Sequence, residues 1–188
     1  DVSVLSPSLL FWRSFTHLVG GMGVLVFALA ILPSTGSDSV QLMRAEVPGP
    51  VFGKLVSKLA KTARILYAIY LVMTAILVII LMLVKVPLFD ALLLSFGTAG
   101  TGGFSINNAG FAIYQNPEMV EWIIGVGMML FGVNFNLYYF LLLGSIREVL
   151  TDEEGRSYLG IIAFASVAIF ASLSIVQSQL GIPFRSVF

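Results

Sequence analysis

The 188-residue chain is 58% hydrophobic and only 11% charged, with a mean hydropathy of +0.99. A soluble domain has about a quarter of its residues charged, so this composition excludes an ordinary soluble protein and predicts an integral membrane protein. The formal net charge is zero, which gives no basis for binding nucleic acid. Cysteine is absent and there is a single histidine, which excludes disulfides, thiolate metal sites and a zinc site built from histidines. The chain lacks an initiator Met and a signal-peptide pattern, so we expect it to be a fragment of a longer protein.

Four segments are long and apolar enough to cross a membrane as helices. They run from about Ser14 to Leu32, from Ile65 to Val84, from Trp122 to Ile146 and from about Ser157 to Ile182. Open strands cannot cross lipid because their edge backbone groups would lack partners, so the predicted fold class is an all-α integral membrane protein.

The basic residues predict the orientation of these segments. The connection between the first two segments carries Arg44, Lys54, Lys58, Lys61 and Arg64, whereas the next connection carries only Lys85. The positive-inside rule therefore places the first connection in the cytoplasm and the second on the outer side. Residues 53–64 within the first connection have lysines at helical spacing, which indicates either an interfacial amphipathic helix or the basic start of the second segment.

Short repeats indicate a recurring unit of outer helix, pore half-helix, loop and inner helix. Pro7 precedes Trp12 by five positions, as Pro117 precedes Trp122, and Pro87 and Pro183 follow apolar segments of similar length. The chain then divides into five parts. These are the inner helix of a preceding unit (1–33), a cytoplasmic basic loop (34–64), a complete pore unit (65–148), a second cytoplasmic loop (149–156), and the next outer helix with the start of its pore half-helix (157–188).

The stretch FGTAGTGGFS, residues 96–105, follows an apolar run over 87–96 that is too short to cross a bilayer. Irregular backbone at membrane depth is tolerated where protein buries it or where it lines a water-filled cavity. A half-helix over 87–96 would present the negative end of its dipole to the loop. Asp90 lies in the first turn of that helix, where the positive end of the dipole favours a carboxylate. Glycines allow successive carbonyls to face a dehydrated cation. The pattern predicts a cation pore, and the alternative is a plain extracellular hairpin.

This loop, together with the preceding PLFDALLLSF, resembles a pore loop of the Trk/Ktr/HKT superfamily of potassium transporters. Residues 13–33 and 131–144 resemble the inner helices that follow the first and second pore loops of that superfamily. The resemblance implies tandem helix–pore helix–filter loop–helix units around one pore, as in potassium-channel-like transporters. It also implies potassium uptake rather than enzymatic activity, with potassium as the substrate and no cofactor. The loop lacks the TVGYG of tetrameric potassium channels, which leaves selectivity against sodium less well defined.

The resemblance also implies which residues form the site. The filter backbone is Gly100, Thr101, Gly102, Gly103 and Phe104, with Gly103 as the filter glycine and potassium held at Thr101 and Gly102. The residues expected to support the filter are Thr98, Ser105, Asn134 and Asn136. For the two asparagines, and for His17, hydrogen bonding or packing between helices is the alternative. Gly20, Gly21 and Gly23 are expected to allow close approach of helices.

By the same resemblance, the protein is a multi-pass protein of the bacterial inner membrane, in contact with lipid. The expected partners are a second copy in a homodimer and a cytosolic nucleotide-binding regulatory subunit of the TrkA kind. Two other classes of function remain open at this point: a membrane scaffold without transport, and an intramembrane hydrolase that uses Ser105 and His17. The hydrolase would need a hydrogen bond between these two side chains, and no carboxylate is placed to orient the histidine.

Overall fold

The computed structural model describes residues 2–21, 23 and 52–180, and these residues form helices and loops with no strand among them. A short 3₁₀ turn at Val2–Val4 precedes seven α-helices. They are α1 (Pro7–Gly21), α2 (Phe52–Leu83), α3 (Leu88–Ala99), α4 (Pro117–Phe131), α5 (Phe135–Leu142), α6 (Ile146–Thr151) and α7 (Glu153–Leu180). The all-α prediction is confirmed.

The chain divides into two compact units, Asp1–Tyr139 and Phe140–Phe188. In the first unit the short helix α3 contacts α1, α2 and α4, so it is the helix around which the unit is organised. Its side chains Ala91, Leu94 and Ala99 are buried in one apolar cluster with residues of the neighbouring helices. In the second unit α6 packs against the start of the long helix α7.

Among the described residues, two helical stretches are long and apolar enough to span a membrane, at Lys61–Leu83 and at Glu153–Ile175. They correspond to the second and fourth predicted segments. The helix α2 is continuous from Phe52, so residues 53–64 form its basic first turns rather than a separate helix. A third span exists if the bent pair α4 and α5 is counted as one.

The third predicted segment is not a single straight helix, and in this respect the prediction was wrong. The chain breaks between Phe131 and Phe135, and α4 and α5 meet at an angle of 84°. Asn134 begins the new helix, because its side-chain Oδ1 accepts the N–H of Asn136 at 3.0 Å. The Tyr138 hydroxyl donates to the Leu130 carbonyl at 2.7 Å, which satisfies a backbone group near the break. An asparagine is a favoured residue at the start of a helix, and a side chain that bonds a backbone group within the ladder is a known cause of a sharp bend.

The helix α1 begins at Pro7, seven positions before the start predicted for the first segment, and α4 begins at Pro117. Proline suits the first helical turn, where its missing N–H is not needed. The two Pro–Trp spacings therefore mark the starts of two helices, as expected of a repeat. The remainder of the first predicted segment, the loop over 34–51 and Pro183 lie outside the described residues.

The half-helix α3 extends to Ala99, three residues beyond the predicted end at Phe96. Gly97, Thr98 and Ala99 thus form its last turn and do not belong to the loop. All three are buried, and a buried helix end holds its backbone in the helix longer than glycine content predicts. The loop that follows runs from residue 100 to residue 116.

Candidate functional site

A Schellman motif closes the C-terminal end of α3. The N–H of Thr101 donates to the Thr98 carbonyl and the N–H of Gly102 donates to the Gly97 carbonyl, each at 2.9 Å. Thr101 occupies the left-handed position of this motif with a φ of 51°, a conformation usually reserved for glycine. A residue with a side chain costs about 1–2 kcal/mol there. The motif takes up two carbonyls of the last helical turn and directs the chain away from the helix at Thr101.

The carbonyls of residues 100–104 accept no hydrogen bond from any part of the chain that the structure describes. Gly103 is also left-handed, with a φ of 65°, so the backbone changes direction twice within three residues. Backbone carbonyls at membrane depth need a partner, which can be backbone, water or an ion. This run of free carbonyls at the negative end of a helix dipole can coordinate a cation.

The helix α1 lies along the loop and approaches it closely at two glycines. A Cβ atom added to Gly100 would lie 2.7 Å from the His17 carbonyl oxygen, and one added to Gly21 would lie 2.9 Å from the Ala99 carbonyl oxygen. These distances are too short for any side chain, so the glycines permit the contact. The role in close packing expected of Gly21 is therefore seen in the structure, against the base of the loop.

The loop runs antiparallel to α1. Gly21 lies beside Gly100, His17 beside Gly102, and Arg13 lies over the ring of Phe104. The guanidinium carbon of Arg13 is 5.5 Å from the centroid of that ring, and the His17 ring is 5.6 Å from it. Each step of the loop away from α3 thus meets an earlier turn of α1.

Tyr70 anchors the base of this arrangement, and the sequence reasoning did not identify it. Its side chain is 0% exposed, and its hydroxyl donates to the Leu18 carbonyl at 2.8 Å. The same hydroxyl lies against Gly21, so α2, α1 and the end of α3 meet at one point. The sequence signal for this contact is a tyrosine within a charge-free span, because a buried hydroxyl needs a hydrogen-bond partner.

The residues expected to support the filter fall into two groups. The Thr98 hydroxyl donates to Leu94 of its own helix at 2.7 Å, and its methyl group packs where a side chain on Gly127 would stand. The Ser105 hydroxyl donates to the Gly110 carbonyl at 3.3 Å and accepts the N–H of Asn107 at 3.1 Å, so it closes the return of the loop. Both residues adjoin the filter segment.

Asn134 and Asn136 lie elsewhere, at the break between α4 and α5 described above. The bond that joins them is local and starts α5, whereas the alternative expected hydrogen bonding or packing between helices.

A second clamp joins the far end of the loop to the start of α3. The Tyr114 hydroxyl donates to Oδ2 of Asp90 at 3.1 Å. Burial of the phenol and the neighbouring carboxylate raise the pKa of Tyr114, so the phenol stays protonated and keeps donating. Asp90 therefore ties down the loop, and it makes no capping hydrogen bond at the start of α3.

Within residues 2–21, 23 and 52–180, the side chains needed for the hydrolase alternative are not hydrogen-bonded to each other, and no cluster of metal-binding side chains is seen. No hydrogen bond joins Ser105 to His17 among the described residues, since the hydroxyl bonds within its loop and the imidazole packs on Phe104. Within the same residues, no three His, Cys, Asp or Glu side chains come together.

Comparison with known proteins also points to cation transport. Residues 1–176 match the sequence profile of the TrkH family, which is described as a cation transport protein. The Trk system potassium uptake protein TrkH of Salmonella typhimurium is 36% identical over 159 residues, which is 84% of this chain and 33% of the relative. The potassium uptake protein TrkG of Escherichia coli is 35% identical over 161 residues, 85% of this chain and 33% of the relative.

An uncharacterised cation transporter of Methanocaldococcus jannaschii is 32% identical over 170 residues, which is 90% of this chain and 34% of the relative. The chain thus spans about a third of the length of the curated relatives it matches. Together with the spanning helices, these matches place it in the cell membrane, as predicted. The chain belongs to the TrkH family of cation transport proteins.

Proposed function

We propose that this chain is the second pore unit, with its flanking helices, of the ion-translocating subunit of a Trk-type potassium uptake system. Residues 100–104 supply one segment of the selectivity filter, and potassium is held at Thr101 and Gly102. The observation that carries the proposal is the run of carbonyls that follows α3, a helix too short to cross the membrane, and that accepts no hydrogen bond from the described residues. The relatives named as potassium uptake proteins support the choice of ion.

The chemistry suits a permeating cation. Potassium must exchange its water for other oxygens, and neutral carbonyl dipoles do this without holding the ion as tightly as carboxylates would. Residues 96–106 carry no charged side chain, so binding is weak enough for release. The negative end of α3 adds about half a charge that favours cations over anions.

The surrounding residues take supporting roles in this proposal. Ser105 holds the return of the loop, and Thr98 seats the last turn of α3 against Gly127 of α4. Asn134 and Asn136 act at a distance, because they determine the direction in which the inner helix leaves the pore. The filter loop faces outward and the basic start of α2 lies in the cytoplasm, as the charge asymmetry predicts.

The proposal extends to partners and assembly. The names of the relatives describe one protein of a Trk system, which supports a further component that acts with this chain. A cytosolic nucleotide-binding regulatory subunit of the TrkA kind fits this role, and the pore subunit forms a homodimer in the membrane.

Uptake of ⁸⁶Rb⁺ into liposomes that contain the full-length protein tests the function. We expect uptake above that of protein-free liposomes, inhibited by external potassium at lower concentration than by sodium. The matched control is the same preparation with external choline. No uptake from correctly inserted protein would overturn the proposal and favour a scaffold without transport, and equal inhibition by sodium and potassium would overturn potassium selectivity.

A further inference from the structure

We propose that Arg13 and His17 of α1 are positioning residues for the filter, which hold the ring of Phe104 and through it set the ion preference at Gly102. This inference rests on the proposed function of residues 100–104. It concerns two side chains of α1, a helix separated from the loop in the sequence by α2 and α3.

The geometry at Phe104 is that of a ring held on one side by α1. The Arg13 guanidinium lies over the ring at 5.5 Å, and the His17 ring is tilted against it at 5.6 Å with an interplanar angle of 38°. Arg13 and His17 are four positions apart, so they occupy one face of α1, one turn above the other. A cation over an aromatic ring within about 6 Å is attracted by the electrons of the ring face.

The edge of the ring lies close to Gly102, in the proposed filter. A Cβ atom on Gly102 would stand 3.2 Å from Cδ2 of Phe104 and 3.2 Å from Nδ1 of His17. Gly102 therefore lies against both rings, which limit the space beside its Cα. If the Phe104 ring moves, the constraint on the Gly102 carbonyl changes.

Phe104 itself is 59% exposed, so burial does not hold it in place. Within the described residues, its recorded ring contacts are those with Arg13 and His17. The ring is therefore held by the cation on its face and by the imidazole beside it rather than by burial. Loss of Arg13 should thus free the ring and leave the fold in place.

A double-mutant cycle tests the inference in the full-length protein. The variants are Arg13→Gln, Phe104→Leu and the double substitution, with Lys85→Gln as a control that removes an exposed cation outside this contact. The readout is the sodium concentration that halves ⁸⁶Rb⁺ uptake, with the KM for Rb⁺ and the thermal stability measured alongside.

We expect Arg13→Gln to lower the half-inhibitory sodium concentration about fivefold, which corresponds to about 1 kcal/mol, with unchanged stability and a normal Lys85→Gln. In the Phe104→Leu background the same change should have no further effect. Arg13→Lys should retain part of the selectivity, since it keeps the charge but loses the planar stacking. It also serves as the test if Arg13→Gln does not insert. His17→Phe should keep both the ring contact and the selectivity, whereas His17→Ala should lose both.

The positioning role would be overturned if the fold-change in half-inhibitory sodium concentration of the double variant equalled the product of the two single fold-changes. An unchanged selectivity in Arg13→Gln would overturn it as well. These results would leave potassium transport by the wild-type protein untouched. Absence of transport in the wild type would instead overturn the proposed function, and this inference with it.

Discussion

Gly103 and Gly110 form a matched pair for testing where the filter lies. Their φ angles are 65° and 66°, so a Cβ atom imposes the same backbone strain at both positions. That strain is about 1–2 kcal/mol for a residue with a side chain. A Cβ atom on Gly110 would meet no atom within 4 Å, and one on Gly103 would lie 3.3 Å from the flexible Met128 sulfur. Gly103→Ala and Gly110→Ala should therefore reduce stability by similar amounts.

The two variants should differ in ion selectivity. At Gly103 the backbone relieves its strain by rotating, and this moves the neighbouring carbonyls of the proposed filter. Loss of one polar contact costs about 1–3 kcal/mol, which changes the preference for potassium over sodium by about 5- to 150-fold. At Gly110 the rotation affects only the return loop, and selectivity should not change.

The assay for this pair is ⁸⁶Rb⁺ uptake with sodium competition in the full-length protein at matched expression, together with thermal unfolding in detergent. The stability data separate strain from function, because both variants should unfold at similarly lowered temperatures. An equal loss of selectivity in Gly110→Ala and Gly103→Ala would contradict the placement of the filter at Gly103. A Gly103→Ala variant that is less stable but as selective as the wild type would contradict it too.

Two further predictions concern stability. Tyr70→Phe removes the buried hydrogen bond to Leu18 while keeping the ring, so we expect the free energy of unfolding to fall by about 1 kcal/mol. An unchanged unfolding temperature would show that this bond contributes no stability to the contact between α1 and α2. Lys85 ends α2 in the left-handed conformation with a φ of 71°, so Lys85→Gly should raise stability by about 1 kcal/mol. A lowered unfolding temperature for Lys85→Gly would contradict the strain assigned to that position.

Local signals in the sequence were sufficient for the membrane class, the two long spans and the half-helix before the glycine loop. Apolar length decides whether a helix spans a bilayer, and α2 and α7 contain long uninterrupted apolar runs. The starts of α1 and α4 at Pro7 and Pro117 lie seven and five positions before the predicted starts of the first and third segments, although proline in a first helical turn was an available signal. The glycine loop was recognisable because its residues determine their own backbone freedom.

Features that depend on partners distant in sequence were decided only by the tertiary structure. The break before α5 lay hidden in a run of apolar residues, and it becomes evident through the Asn134 cap and the Tyr138 bond. Burial against neighbouring helices extended α3 to Ala99. The contacts of Arg13 with Phe104 and of Tyr70 with Leu18 join separate segments of the chain, and no periodicity within one segment can reveal such a pairing. Composition and hydrophobic length thus determined what crosses the membrane, whereas packing between helices decided how the carbonyls of the loop are held.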